Sequence, residues 1–295
     1  MTLTIQAIDP VSRPFFAGVV SGIDITKPLT QSEAQQIEAG MDQYGVLVFH
    51  DQPFTDETQM AFSRNFGELE LATNNLREGK DRLGAHIADI SNLDVNNNVL
   101  GRENRRRLFS LGTRLWHSDS SFKVVPAKYS LLSAHIIPDS DGNTEFADMR
   151  AAWDTLNPET QAECMPLICE HSQLFSRALI GFGDFTDEER KNFAPVQQRL
   201  VRTHPSTGRK SLYLASHAGT ILGWPIPEAR AFLRDLTEHA TQRKFVYSHK
   251  WTANDLVVWD NRATMHRSRP FDATQVRDMH RTTVAGTRST MAEAA

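Results

Sequence analysis

From Leu115 onward the apolar residues fall into short runs of β character, and this pattern constrains the fold more than any other feature of the chain. The runs are Lys128 to Ile137, Lys210 to Ser216, Lys244 to Trp251, Asp255 to Trp259, Ala263 to Arg267 and Val276 to Val284. Two helical stretches interrupt them. Asp148 to Leu156 has Asp148 as its cap and Asn157-Pro158 as its stop, and Pro227 to Thr241 puts Ala229, Phe232, Leu233 and Leu236 on one face. Many short strands with helices packed outside them argue against alternating βαβ units. They predict a mainly β fold with surrounding helices, its core a double-sheet jelly roll of the double-stranded β-helix, cupin-like kind.

The N-terminal part opens with a strand and a helix. Phe15 to Ile25 alternates loosely, Thr30-Gln-Ser-Glu33 offers a capping box for a helix running to about Tyr44, and Val46 to Phe49 is a short apolar strand. Thr55 then leads into a second helix that carries Met60, Phe62 and Phe66 before Gly67 stops it. Between about residues 70 and 107 the periodicity fades, and the stretch reads as long loops, the place where a compact domain keeps a lid. No Pro/Gly/Ser-rich linker divides the 295 residues. The expectation is one domain over 1–295 with a lid or loop insertion at about 70–107.

With 40% hydrophobic and 23% charged residues the chain is of ordinary globular composition and long enough to build a core without a disulfide or structural-metal staple. Its formal net charge of -4 gives no general attraction to nucleic acid or anionic lipid, and the basic run Arg102 to Arg107 reads as a solvated loop or helix face. Cys164 and Cys169 stand five apart in what reads as a helix, on different faces, so no bridge is expected. The N-terminus lacks a charged and then apolar leader, and no run approaches about eighteen apolar residues. A soluble cytoplasmic protein with neither nucleic-acid nor membrane partners is expected.

The sharpest local feature is Trp116-His117-Ser118-Asp119-Ser120-Ser121. In a strand, residues two apart share a face, so His117 and Asp119 would project an imidazole and a carboxylate together. The best candidate for a third ligand is His266, which follows an apolar strand and a tight Asp260-Asn261 turn. Two histidines and one carboxylate on a single face of a metal leave three positions open, the arrangement of non-haem iron(II) oxygenases. Alone, His-x-Asp is a weak signal, because a lone histidine is more often a hydrogen-bonded structural residue. An oxygenase using 2-oxoglutarate also needs a fixed cation for the distal carboxylate. Arg277, eleven residues after His266, and Arg281, four further on, would face the same side of the last strand. Their planar guanidinium groups suit bidentate carboxylate binding.

Together with Gly142-Asn-Thr144-Glu-Phe-Ala-Asp148-Met-Arg150, these strings resemble the taurine dioxygenase and 2,4-dichlorophenoxyacetate dioxygenase family of Fe(II)/2-oxoglutarate-dependent oxygenases. The likeness runs from the Gly18 to Asp24 region to Arg281. Ala88-Asp-Ile-Ser-Asn92 and Trp116 to Phe122 look closer to the phenoxyacetate branch. The resemblance implies Fe(II) held by His117, Asp119 and His266, with 2-oxoglutarate held by Thr144 and Arg277 and O2 as the second co-substrate. It implies Arg281 for the substrate anion. His204 and His217 are candidates for lining the substrate pocket as neutral donors, with a surface-turn role as the plainer alternative. Trp116 and Trp259 read as core wall.

The implied reaction hydroxylates a small carboxylate- or sulfonate-bearing molecule and releases succinate and CO2. With a phenoxyalkanoate such as 2,4-dichlorophenoxyacetate, the hydroxylated ether carbon would collapse to a phenol and glyoxylate. A taurine or alkylsulfonate dioxygenase releasing sulfite shares every cofactor residue and stays open, as does a jelly-roll protein that binds metal without turnover. In phenoxyacetate enzymes of this kind the loop Glu70 to Gly84 can supply basic side chains. Here Asn74-Asn75 stand near its start and Arg77, Lys80 and Arg82 further on, which leaves a second substrate cation open. Relatives also imply a homo-oligomer.

Overall fold

The computed structural model describes residues 2–72 and 82–293. Asn74, Asn75, Arg77 and Lys80 lie outside the described residues. Seven strands make the larger sheet, in the order Thr4–Ala7, Gly18–Ser21, Val46–Phe49, Leu256–Asp260, Ala127–Ile136, Asp278–Ala285 and Ala88–Asp89. Gly18–Ser21 and Val46–Phe49 pair in parallel, which requires a crossover, and the helix Gln31–Tyr44 supplies it. That helix starts on the capping box read from the sequence, Thr30 with Glu33. It ends at Gly45, whose φ of 68° is the left-handed cap a side chain would resist.

A smaller sheet runs Val246–His249, Thr144–Asp148 and Thr264–Ser268. Strand alternation decides how the two sheets meet. Leu132, Ala134, Val257, Trp259 and Met279 of the larger sheet form one buried cluster with Phe146 of the smaller sheet and Trp251. Their sequence neighbours Leu131, Leu256 and Val258, with Val284, point the other way, onto Ile37 and Met41 of the first helix and Phe62 and Phe66. On the far side of the smaller sheet, Ala147 and Met265 pack with Leu233 and Leu236 of the helix Ile226–Ala240. The result is two facing sheets with helices outside both. Phe146, fully buried between them, gains about 1.5–3 kcal/mol from burial alone.

The structure alters several readings. The Lys210 to Ser216 run keeps only Lys210–Leu212 as strand, paired with Val201–Thr203. Residues 70–107 are not uniformly loop: Ala88–Asp89 pairs with His280 and Arg281, and Arg105–Ser110 is a helix capped by the Asn104 side chain. The basic run is not a plain solvated face either. Arg105 bonds the exposed Asp184 and the buried Glu189, and Arg106 reaches the buried carboxylate of Asp89 and the Leu93 carbonyl, because the buried carboxylates of Glu189 and Asp89 need counter-ions. Cys164 ends the helix Pro158–Cys164 whereas Cys169 lies in the strand Ile168–His171; both are buried free thiols. Among the described residues no helix is long and apolar enough to cross a membrane.

Candidate metal centre and substrate cavity

His117 and His266 exchange both backbone hydrogen bonds, 3.0 and 2.8 Å, as an isolated antiparallel bridge that extends the smaller sheet. This places their rings 4.2 Å apart, centroid to centroid. The segment after His117 is not the strand expected from its sequence. It turns at once, with Ser120 at φ 55°, and the turn swings the Asp119 carboxylate back toward the two imidazoles. Asp119 Oδ2 lies 3.6 Å from His266 Nε2 and Oδ1 lies 3.9 Å from His117 Nε2. Ligand-type atoms of the three residues all fall within 4.8 Å of one another, and all three residues are buried.

The surroundings fix each donor. His117 Nδ1 meets the Leu115 carbonyl at 2.8 Å, which sets the tautomer that leaves Nε2 with its lone pair. Burial pulls the His117 and His266 imidazoles below the usual range, so both are neutral at physiological pH. Burial would raise the Asp119 carboxyl, but the Arg281 guanidinium first, together with a hydrogen bond from Ser130, outweighs it and holds it well below the carboxylate range. Ser130 Oγ donates to Asp119 Oδ2 at 2.7 Å, Asn261 Nδ2 donates to Ser130 Oγ at 2.9 Å, and Trp259 Nε1 donates to Asn261 Oδ1 at 3.1 Å. Asp119 N donates to that same Asn261 oxygen at 3.0 Å. Two neutral imidazoles and one oriented carboxylate match the donor set that a divalent iron accepts.

A second group of ligand type, Asp56, His135 and His280, lies on the helix-covered side of the larger sheet. There His280 Nδ1 bonds Asp56 Oδ1 at 2.5 Å and Nε2 stands 3.2 Å from Asp278 Oδ1. Burial would lower this imidazole, but the two carboxylates push it up to about 9. Protonated at neutral pH, it is an ionic bridge with no lone pair to give a metal.

The cavity beside the triad is lined by His117, Asp119, Phe122, Arg177, His217 and Arg281, among others. His217, expected in the pocket, is there: its ring meets His117 edge-on at 5.9 Å and Phe122 at 5.1 Å, and its Nδ1 bonds Ser176 Oγ at 2.9 Å. His204 is not. It is buried away from the cavity with Nε2 3.0 Å from Asp260 Oδ2, beside Arg262, and so is neither a pocket residue nor a surface-turn histidine.

Arg281 Nη1 donates to Asp119 Oδ1, while its Nε is buried without a partner. Arg277 is buried too; its Nη1 donates to the Ile90 carbonyl at 3.2 Å and its backbone N–H to Asn92 Oδ1. It has no carboxylate partner among the described residues, and burial pulls its pKa down to about 10. Thr144 Oγ1 accepts from Trp251 Nε1 at 3.0 Å. Thr144 and Arg277 do not line the cavity themselves, but Ile90, to which Arg277 is bonded, does. Arg82 is committed elsewhere, to Asp89 and Asp278.

Sequence reasoning missed Ser130 and Asn261, which orient Asp119, and Arg177 in the cavity wall. Asn261 had a signal, since it sits in the Trp259 to Arg262 string. Ser130 and Arg177 had none, because what they touch is distant in sequence.

Residues 7–283 match the family model for "Taurine catabolism dioxygenase TauD, TfdA family". An alpha-ketoglutarate-dependent 2,4-dichlorophenoxyacetate dioxygenase of Cupriavidus pinatubonensis is 44% identical over 92% of this chain and 95% of its own. The (S)-phenoxypropionate/alpha-ketoglutarate-dioxygenase of Sphingobium herbicidovorans is 34% identical, with 92% of each chain covered. Among solved structures, AAD-2 in complex with Mn(II) and N-oxalylglycine superposes with a TM-score of 0.90 at 54% identity, covering 98% of this chain and 99% of that one.

Proposed function

The chain belongs to the taurine catabolism dioxygenase TauD, TfdA family, and from that membership we propose that it is an Fe(II)- and 2-oxoglutarate-dependent dioxygenase that hydroxylates a phenoxyalkanoate. The observation that carries this reading is the convergence of two neutral imidazoles and one anionic carboxylate at the edge of a cavity that also holds cationic side chains. His117, Asp119 and His266 are assigned to iron. Thr144 and Arg277 are assigned to the distal carboxylate of 2-oxoglutarate, a role that suits a buried guanidinium without a counter-ion among the described residues. Arg281 is assigned to the substrate anion, since among the described residues only its Nη1 is bonded, to Asp119.

Iron bound there supplies the redox and dioxygen chemistry that side chains lack, with 2-oxoglutarate leaving as succinate and CO2. The protein's share is positional. Ser130 and Asn261 hold Asp119 in one orientation, Leu115 fixes the His117 tautomer, and Phe122, Phe109 and Phe193 line a wall that excludes water and matches an aryl ring. That aromatic wall favours an aryloxy acid over an alkylsulfonate. Hydroxylation at the ether carbon gives a hemiacetal, whose collapse to phenol and glyoxylate needs no acid or base from the protein.

The same reading takes the two facing sheets as a double-stranded β-helix within a single domain. It also expects a cytoplasmic homo-oligomer, which light scattering would check. The test of function is anaerobic titration with iron(II) and 2-oxoglutarate, then exposure to oxygen with aryloxyalkanoates, alkylsulfonates and simple aryl acids while succinate is quantified. Succinate stimulated by aryloxyalkanoates supports the reading. Stimulation by sulfonates alone would replace it with a sulfonate dioxygenase, and no succinate from folded, iron-loaded protein would end it.

A further inference from the structure

Among the described residues, Arg177 is the one arginine lining the cavity that has no carboxylate partner. The other two arginines of the cavity are engaged: Arg106 with Asp89, and Arg281 with Asp119. Arg177 lies in the short helix Gln173–Ala178, is almost wholly buried, and has no carboxylate partner among the described residues. Its contacts are a hydrogen bond from Nη1 to Ser176 Oγ at 3.0 Å and the face of Phe109, 4.1 Å from its Cζ; Nε has no partner. Burial alone pulls this guanidinium down to about 10. An uncompensated buried charge is costly, and a cation–π contact recovers only part of that cost.

The backbone is shaped around the group. A Cβ on Gly112 would stand 2.6 Å from Cζ and from Nη1 of Arg177, so only glycine lets the guanidinium lie where it does. Ser176 Oγ also meets His217 Nδ1, and the His217 ring touches His117. Arg177 is thereby tied in position to the edge of the candidate metal centre. Phe122 and Phe193 line the same cavity.

We propose that Arg177 is a second residue, with Arg281, that binds the carboxylate of the acid substrate, so that an aryloxyalkanoate is held by its anionic end while the aryl ring lies against Phe122 and Phe193. The assignment rests on the aryloxyalkanoate reading above. It supplies the second substrate cation that the Glu70 to Gly84 loop left open, from a helix a hundred residues further along the chain. Arg281 then meets the carboxylate from beside Asp119 and Arg177 from beside Ser176 and His217. Specificity for an acid follows, because a neutral ligand would leave the guanidinium buried and unpaired.

The experiment compares wild type, Arg177→Gln, Arg177→Lys and Gly112→Ala, all iron-loaded, with phenoxyacetate and its methyl ester as substrates. KM and kcat for each substrate and KM for 2-oxoglutarate are read. Arg177→Gln is expected to raise the phenoxyacetate KM by roughly tenfold or more and to lose the preference for acid over ester, with the 2-oxoglutarate KM and substrate-independent succinate formation unchanged. Arg177→Lys should fall between, keeping charge without the fork. Gly112→Ala should reproduce the Arg177→Gln defect while retaining the arginine, which guards against misfolding of a single variant. An unchanged phenoxyacetate KM and acid preference in Arg177→Gln, with wild type active, would overturn the proposal and leave the dioxygenase reading standing. Loss of 2-oxoglutarate binding alongside substrate binding would assign Arg177 a structural role instead. Wild type that makes no succinate with any aryloxyalkanoate would remove the reading itself, and with it this assignment.

Discussion

Arg281 Nη1 lies 2.5 Å from Oδ1 of Asp119, so the carboxylate assigned to iron is already paired on one oxygen with the cation assigned to the substrate. Ser130 holds the other oxygen at 2.7 Å. The pairing keeps Asp119 ionised in a buried place and couples the two ends of the reaction, because a ligand anion that engages Arg281 competes with Asp119 for it. Arg281→Ala is expected to raise the substrate KM while substrate-independent decay of 2-oxoglutarate stays measurable. A normal KM in steady-state assays would remove Arg281 from the substrate site.

Asp119→Ala should abolish turnover and weaken iron binding, which equilibrium metal titration would read directly; full activity in this variant would sink the metal assignment. Ser130→Ala is the finer test. It leaves all three candidate ligands in place but removes the bond that orients one of them, and such partners are typically worth about 10–100-fold in metal affinity or activity. A Ser130→Ala protein with wild-type affinity would mean that Asn261 and Arg281 suffice to aim the carboxylate.

The triad was legible because two of its members share a tripeptide and the third follows a recognisable strand and turn. Its geometry was less so. The strand expected at Trp116 to Ser121 is a single bridge followed by a left-handed Ser120, and the convergence depends on that turn as much as on alternation. Local signals also gave the Thr30 to Tyr44 helix and the Val46 to Phe49 strand nearly to the residue. Sheet order did not follow from them. Leu256–Asp260 sits between Val46–Phe49 and Ala127–Ile136, a pairing set by which apolar faces bury together rather than by anything in those strands alone. Arg177 illustrates the same limit, since its helix is too short to show periodicity and its meaning comes from Gly112 and Phe109.

His204 is held in the core, away from the cavity. It shares Asp260 with Arg262, whose guanidinium donates to both carboxylate oxygens, and all three are buried or nearly so. Burial would raise Asp260, but Arg262 first and then His204 hold it well below the carboxylate range. Removing the imidazole leaves a lone pair of Asp260 unsatisfied, so His204→Ala should lower stability by about 1–3 kcal/mol in denaturant titration. The substrate KM of the remaining folded enzyme should be unchanged. A raised KM with undiminished stability would return His204 to the pocket.

The His280 bridge should give stability a basic limit. Its imidazole, against Asp56, Asp278 and the neighbouring His135, titrates near 9 in the folded chain against about 6.5 when unfolded. A pKa raised by folding means that the folded state holds its proton more tightly. The contribution is therefore complete below about pH 6.5 and fades as pH rises through 9. His280→Gln should lower Tm at pH 6 by roughly 2–4 °C, the change that about 1 kcal/mol makes in a large domain, and the difference from wild type should close by about pH 10. Arg82 also pairs with Asp278 and does not titrate in this range, so it offers no competing explanation for the closing gap. A gap that is constant from pH 6 to 10 would show that His280 acts by packing, not by charge.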